Sequence, residues 1–109
     1  MEKWVLVVHS NCSDPAREDE FNDWYNNIHL PDLMENTDFV RASRFVNPDS
    51  SAWESGKYLA IYEIETEDIS QTSAAMEKRR AELKAQGRTS ELSVLVSGSM
   101  YRQIRSIAR

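Results

Sequence analysis

The residue types best suited to chemistry lie together in one stretch of the chain, FNDWYNNIHLPDLM, which covers residues 21–34. His29 is one of two histidines in the sequence, and it precedes Pro31 by two positions and Asp32 by three. Imidazole titrates near neutral pH, and a carboxylate close to it fixes its tautomer and raises its basicity. The spacing therefore predicts His29 as a general base or acid and Asp32 as the residue that orients it.

The same stretch also has a purely structural interpretation. Pro31 has no backbone N–H and its ring crowds the carbonyl four residues earlier, so the helix should end or kink near His29. The residue before a proline disfavours helical angles, which predicts a break at Leu30. A histidine at a frayed helix end can hydrogen-bond the free carbonyls, and the helix dipole favours its protonated form. The pattern alone leaves both interpretations open.

Other side chains could bind a substrate beside His29. Tyr25 lies one turn before it, on the same side of a helix. Trp24, Tyr25 and Tyr62 are core residues by default, but tyrosines can also line an apolar pocket and point a hydroxyl into it. His9, at the end of the first strand, is most simply a partly exposed strand-end residue, and otherwise a group that assists the reaction.

Arg41 and Arg44 lie on a strand whose two faces are both candidates for burial. A buried guanidinium needs an acidic partner or a ligand. Glu63 and Glu65, on the next strand along the chain, are the structural candidates for that partner. In the alternative interpretation, Arg41 holds or polarises a substrate oxygen.

The composition limits the classes to which the chain can belong. Its 109 residues suit a single domain, residues 1–109, and a net charge of −5 argues against nucleic-acid binding. One cysteine cannot form an internal disulfide and no apolar run is long enough to span a membrane, which predicts a cytoplasmic protein. Two histidines and one cysteine at unrelated spacing form no metal signature, so no metal site is expected.

One basic cluster, EKRRAELK at residues 77–84, is interleaved with glutamates. It is most simply a solvated helix face with ion pairs between residues three or four positions apart. A patch that binds an acidic ligand is the alternative.

Hydrophobic periodicity predicts four strands and two helices. The strands are expected at residues 3–10, 38–47, 57–65 and within 91–105, and the helices at 14–29 and about 67–86. Residues 47–56 form a turn-rich connection between the second and third strands. Alternation places Phe39 and Arg41 on one face of the second strand and Arg44 on the other. Thr66 and Gly87 are the predicted caps of the second helix.

This βαββαβ order predicts an α+β, ferredoxin-like fold, in which a four-stranded antiparallel sheet carries two helices on one face. The opposite face of the sheet then needs a cover, because its strands carry valine, leucine and isoleucine residues among polar ones. A second copy of the chain is the simplest cover. The pattern therefore predicts a homodimer with sheet packed against sheet.

Two segments, EFNDWYNNIHLPDLMENTDFVRASRF and KYLAIYEIE, resemble the EthD-like branch of the dimeric α+β-barrel superfamily. That branch has a helix ending in a pattern like W-Y-x-x-H-x-P-x-L, followed by a phrase like "pgFvrarrf" and a strand like "ylaiYef". The matching residues are Trp24, Tyr25, His29, Pro31, Leu33, Phe39, Val40, Arg41, Ala42, Arg44, Phe45, Tyr58, Leu59, Ala60, Tyr62 and Glu63. The chain departs from the phrase at Asp38, where the family usually has a glycine.

The resemblance implies a subunit that dimerises through its sheet and holds a hydrophobic, often aromatic substrate without metal or organic cofactor. It also implies acid/base chemistry at His29. The chain is therefore expected to be a cofactor-independent enzyme that cyclises, isomerises or dehydrates a polyketide-like or other aromatic carbonyl compound. The alternatives are a cofactor-free monooxygenase of the anthrone type and a non-catalytic dimer that binds a small molecule.

Overall fold

A computed structural model describes residues 1–49 and 52–109 of the chain, so residues 50 and 51 of the predicted 47–56 connection lie outside the described residues. Its strands are β1 (Glu2–Cys12), β2 (Phe39–Val46), β3 (Tyr58–Thr66) and β4 (Ser93–Arg102). Its α-helices are α1 (Glu18–Trp24), α2 (Leu30–Leu33) and α3 (Ile69–Ala85). A π-helical turn (Tyr25–His29) joins α1 to α2, and short 3-10 turns occur at Pro15–Arg17 and Ala52–Ser55.

The strands form one sheet in the order β2-β3-β1-β4, and every neighbouring pair is antiparallel. This order places the first and third strands at the centre, as the βαββαβ sequence pattern predicts. The ferredoxin-like α+β fold is therefore confirmed. No helix in the described part of the chain is both long and apolar enough to cross a bilayer.

The two faces of the sheet have different neighbours. In the central pair, Leu6 lies opposite Tyr62 and Val8 opposite Ala60, and these residues face the helices. Val7 lies opposite Ile61 and His9 opposite Leu59 on the other face, which we call the open face. The buried apolar residues form one core under the helices: Leu6, Cys12, Phe21, Tyr25, Leu33, Phe39, Tyr58, Ala60, Tyr62, Ile64, Met76, Leu83 and Leu92.

A register shift between Phe39 and Arg41 corrects the predicted faces of β2. Phe39 lies opposite Ile64, on the helix side, whereas Arg41 lies opposite Glu63 on the open face. The extra residue, Val40, lets two residues of β2 oppose one of β3, as in a β-bulge. Simple alternation could not predict this, because a bulge reverses the alternation at one point.

The ends of α3 follow the expected chemistry with one correction. Asp68, rather than Thr66, caps its first turn by accepting a hydrogen bond from the backbone N–H of Ser70. Gly87 follows the helix with φ of 71°, and the N–H of Arg88 donates to the carbonyl of Leu83 at 2.9 Å. This is a Schellman motif, which confirms Gly87 as the residue that ends the helix and sets the direction of the next loop.

Asp38, at the position where the EthD-like pattern usually has a glycine, fits the turn before β2 without strain. Asp38 donates its backbone N–H to Asn36 Oδ1 at 3.0 Å, and its carboxylate accepts a bond from the Thr72 hydroxyl at 2.7 Å. Among residues 1–49 and 52–109, no residue other than glycine has a positive φ. The turn before β2 therefore needs no glycine.

Candidate active site

A cavity of about 380 Å³ lies on the helix side of the sheet. This volume is within the range of pockets that bind small molecules. Its apolar wall consists of Val8, Trp24, Leu33, Leu83 and Leu95. Its polar lining includes Tyr25, His29, Tyr62, Arg80, Lys84 and Arg88. Four of the predicted site residues, Trp24, Tyr25, His29 and Tyr62, thus meet at one cavity.

The backbone does not leave helical angles at Leu30, contrary to the break predicted there, although regular α-helix does give way to a π turn near His29. Leu30 keeps helical angles, with φ of −60° and ψ of −49°, and its N–H donates to the carbonyl of Tyr25, five residues earlier. The wider π turn over Tyr25–His29 makes room for the proline ring, and α2 then continues to Leu33. The proline therefore widens the helix instead of ending it, and the widened turn contains His29.

The imidazole of His29 packs between two aromatic rings of its own helical segment. Its centroid lies 4.8 Å from that of Trp24 in a stacked arrangement and 4.8 Å from that of Tyr25 edge-on. Burial and the nearby charge of Arg80 lower the pKa of His29 to about 4. The ring is therefore neutral at pH 7 and can accept a proton.

Tyr25 and Tyr62 form a hydroxyl pair deep in the same cavity. Their oxygens are 3.3 Å apart, and the side chains are almost fully buried. Burial raises the pKa of both phenols, so both keep their protons at neutral pH. In a pair of hydroxyls one proton is shared, which leaves the other free to donate to a ligand oxygen.

Arg44, not Arg41, is the arginine on the helix side of β2. Its guanidinium carbon lies 4.1 Å from the ring centroid of Tyr25 and 5.3 Å from that of Tyr58, and Nη1 donates to Asn26 Oδ1 at 2.8 Å. Nε and Nη2 are buried without a hydrogen-bond partner. Tyr25, which lines the cavity, therefore also has a positive charge packed against its ring. Alternation along the strand could have found Arg44, since it predicted Arg44 and Arg41 on opposite faces.

Asp32 does not orient His29 as the spacing predicted. Both of its carboxylate oxygens accept bonds from Arg88, at 2.7 and 3.1 Å, and this partner lowers the pKa of Asp32. Trp24 Nε1 donates to the carbonyl of the same arginine at 3.0 Å. These contacts attach the loop after α3 to α1 and α2, on either side of the π-helical turn. Asp32 thus holds the wall of the cavity, through a partner 56 residues away that no local pattern reveals.

His9 and Arg41, both predicted to bind substrate, lie on the open face and not at this cavity. His9 Nδ1 is 3.2 Å from the Ser97 hydroxyl. Arg41 pairs with Glu63 at 3.6 Å, the structural partner that the sequence offered. Since neighbouring strand positions point to opposite faces, residues beside Val8 on β1 cannot share its side of the sheet. The substrate-binding predictions for His9 and Arg41 are wrong for this cavity.

A second register shift shapes the cavity from the sheet side. Between His9 and Ser10 the pairing of β1 with β4 skips one residue, so Ser10 lies opposite Leu95. The shift brings Leu95 to the helix side, where it lines the cavity together with Val8 and Ser10. Within the described ranges, no three His, Cys, Asp or Glu side chains lie close enough to hold a metal ion.

Comparison with known proteins supports the architecture. No family model matches the sequence, and no curated protein matches it. The chain is similar to the crystal structure of HapK from Hahella chejuensis, with a TM-score of 0.66 and 15% identity over 97% of each chain. It is also similar to a protein from Shewanella loihica PV-4 that carries a provisional description as a monooxygenase. Here the TM-score is 0.63 and the identity 15%, over 97% of this chain and 99% of the other. At this identity the likeness shows the shared fold.

Proposed function

We propose that the chain is a cofactor-independent enzyme that moves a proton next to the carbonyl group of an apolar, aromatic substrate. The observation that carries this proposal is a neutral imidazole in the wall of an apolar cavity, beside a buried pair of tyrosine hydroxyls. His29 is the base, and the tyrosine pair of Tyr25 and Tyr62 donates a hydrogen bond to the carbonyl oxygen. Cyclisation, isomerisation and dehydration of a carbonyl compound all begin with such a step.

The strength of the base limits the substrate. A histidine with a pKa of about 4 is a weak base, so it can deprotonate only an activated carbon acid, such as one flanked by aromatic rings and a carbonyl. Loss of the proton creates an enolate beside the new imidazolium, and the opposite charges raise the pKa of His29 as the step proceeds. The hydroxyl pair stabilises the oxygen on which the charge collects.

The same site supports a second candidate, a cofactor-free monooxygenase. The provisional description of the similar Shewanella loihica protein favours it. His29 would remove a proton from an anthrone-like methylene carbon, and the resulting carbanion would reduce molecular oxygen. Addition of the oxygen gives a carbon-bound peroxide, which loses water and leaves a second carbonyl. One substrate and one oxygen molecule thus yield one quinone and one water.

We further propose that the open face is covered by a second copy of the chain. The face carries Val5, Val7, Phe45, Leu59, Ile61 and Tyr101. Phe45 is 52% exposed and Tyr101 57% exposed in the isolated chain. The sequence resemblance to EthD-like dimeric α+β barrels supports the same arrangement.

Anthrone provides a test, because its central methylene group is a carbon acid flanked by two rings. The expected result is protein-dependent exchange of these protons for deuterium in heavy water, measured by proton NMR under nitrogen. His29→Gln should lower the protein-dependent rate about 10²–10⁴-fold, whereas His9→Gln should leave it within twofold. Equal rates for the parent and His29→Gln, with both proteins folded, would refute the role of His29. Oxygen uptake in air, with anthraquinone as product, would select the monooxygenase.

A further inference from the structure

The charges around the cavity differ from those of the chain as a whole. The chain carries a net charge of −5, yet the residues that line the cavity include three cations and no carboxylate. The three are Arg80, Lys84 and Arg88. Arg88 is neutralised by Asp32 and Arg80 has an exposed ion pair with Glu77, so the cation without a carboxylate partner among the described residues is Lys84 on α3.

Helix α3 divides the basic cluster at residues 77–84 between two surfaces. Arg79 pairs with Glu35 at 2.6 Å and with Glu82 at 3.6 Å, on the side away from the cavity, and Lys78 lies on that side too. Arg80 and Lys84, one helical turn apart, line the cavity. Arg80 has an exposed ion pair with Glu77 at 3.0 Å, and no carboxylate of the described residues pairs with Lys84. Only part of the cluster is therefore the solvated, self-paired face that the sequence suggested.

The cavity lining combines buried hydroxyls, exposed cations and apolar side chains. The hydroxyl pair of Tyr25 and Tyr62 is almost fully buried, whereas the cations of α3 are exposed. Leu33, Leu83 and Leu95 line the same cavity. A ligand that satisfies all three parts has an oxygen at one end, an apolar body and a negative group at the other.

We propose that the cavity binds an aromatic carboxylate, with its ring system between the leucines and Trp24 and its carboxylate held by Lys84 and Arg80. The binding of this ligand class is argued from the cavity alone. Only its conversion by the protein rests on the proposed function. After burial, the charge of Arg80 also contributes to the low pKa of His29, and it opposes the rise that burial causes in the pKa of Tyr62. A bound anion would offset that charge and strengthen His29 as a base.

A matched pair of probes tests the proposal without any turnover. Naphthalene-2-carboxylate and naphthalene-2-carboxamide have the same ring and nearly the same size, but only the first is charged at pH 7. Isothermal titration calorimetry at low salt should show the carboxylate binding at least about tenfold more tightly than the amide. The preference should shrink at high salt, since ions screen exposed charges.

Variants of α3 locate the charge responsible. Lys84→Gln should reduce the preference at least threefold, Arg80→Gln/Lys84→Gln should abolish it, and Lys84→Arg should retain it. Lys78→Gln is the matched control, since it removes the same charge from the other side of the same helix and should leave the preference unchanged. These positions are exposed, so the variants should melt at the parent temperature.

Three results would overturn the proposal: no binding of either probe at millimolar concentration, equal affinities for both probes, or equal effects of the Lys84 and Lys78 variants. The outcome is separate from that of the anthrone assay. A carboxylate preference in a protein whose His29→Gln variant still exchanges deuterium would keep the ligand class and reject the base. Deuterium exchange that depends on His29, in a protein with no preference for the carboxylate probe, would keep His29 as the base and reject the ligand class.

Discussion

The two faces of the sheet place the same residue types in opposite circumstances. His29 lies on the helix side of the sheet, stacked on Trp24, whereas His9 lies on the open face beside Ser97. Arg44 is packed against the Tyr25 ring on the helix side, while Arg41 makes an exposed ion pair. Chemistry at the candidate site thus depends on the face to which a side chain points, not on residue type. Each prediction below changes a residue on one side of the sheet and has a matched control elsewhere in the molecule.

The largest effect is expected from a charge on the open face. If a second copy covers this face, Ile61→Lys buries an unpaired ammonium at the centre of the interface. Such burial costs several kcal/mol, so the dimer dissociation constant should rise by about 10²-fold or more. Analytical ultracentrifugation of the parent and the variant measures the change. Ala74→Lys, on the exposed side of α3, adds the same charge and should leave the dimer intact. A parent protein that is monomeric at tens of micromolar would refute the dimer.

The next effect is the dependence of stability on pH. In the folded chain the pKa of His29 is about 4, whereas in the unfolded chain it is near 6.5. Between these values the unfolded chain binds a proton that the folded chain does not, so the stability contributed by neutral His29 is complete above pH 6.5 and falls as the pH falls towards 4. The difference between a pKa of 6.5 and one of about 4 sets an upper bound of roughly 3.5 kcal/mol on this contribution.

Urea unfolding at pH 7.5, 6.0 and 5.0 measures this contribution as a difference between proteins. His29→Gln should lose less stability on acidification than the parent. His9→Gln, the same change on the open face, should follow the parent curve. Parallel curves for the parent and His29→Gln would show that the imidazole is not held neutral by its surroundings.

A third comparison concerns two carboxylates with arginine partners. Asp32 is buried and accepts two bonds from Arg88, whereas Glu63 meets Arg41 at 3.6 Å with both side chains exposed. Asp32→Asn should lower the free energy of unfolding by about 1.5–3 kcal/mol, because it replaces charge-assisted bonds in a buried position. Glu63→Gln should change it by less than about 0.5 kcal/mol. Chemical denaturation of the two variants gives both values. Equal losses of unfolding free energy would contradict the stabilising role given to the Asp32–Arg88 pair.

The sequence predicted those parts of this site that depend on residues close together in the chain. The helical spacing of Trp24, Tyr25 and His29 is a local relation, and the structure keeps these rings in contact. The faces of β3, and with them the inward direction of Tyr62, followed from uninterrupted alternation.

The failed predictions depended on distant or irregular features. The partner of Asp32 lies beyond α3, so sequence proximity wrongly favoured His29. The π turn at Tyr25–His29 accommodates the ring of Pro31 within a continuous helical segment. Propensity rules compare only α-helix with non-helical structure, so they do not predict a π turn. The division of the basic cluster at residues 77–84 required knowing which side of α3 faces the cavity, and the thin apolar stripe of that helix did not reveal it.

The smallest effect on stability, and the most specific on function, is expected at Arg44. Its cation–π contacts with Tyr25, Tyr58 and Phe21 contribute about 0.5–2 kcal/mol, and its hydrogen bond to Asn26 adds to this, but each of its two buried nitrogens without partners costs about 1–3 kcal/mol. The costs offset the gains, so Arg44→Met should not lower the free energy of unfolding by more than about 1 kcal/mol. The charge of Arg44 nevertheless opposes the rise in the pKa of Tyr25 that burial causes, which makes that phenol a better donor.

Arg44→Met should therefore slow anthrone exchange about tenfold while leaving stability almost unchanged, and Arg44→Lys should restore part of the rate. Arg41→Met, on the open face, should affect neither measurement. A structural role alone predicts the opposite pattern, in which lost stability accompanies an unchanged rate per folded molecule. Arg44 is half-buried, two of its nitrogens are buried without partners, and it stabilises the fold little. Its support of Tyr25 is the best explanation for its position, so the exchange rate and not the melting temperature decides its role.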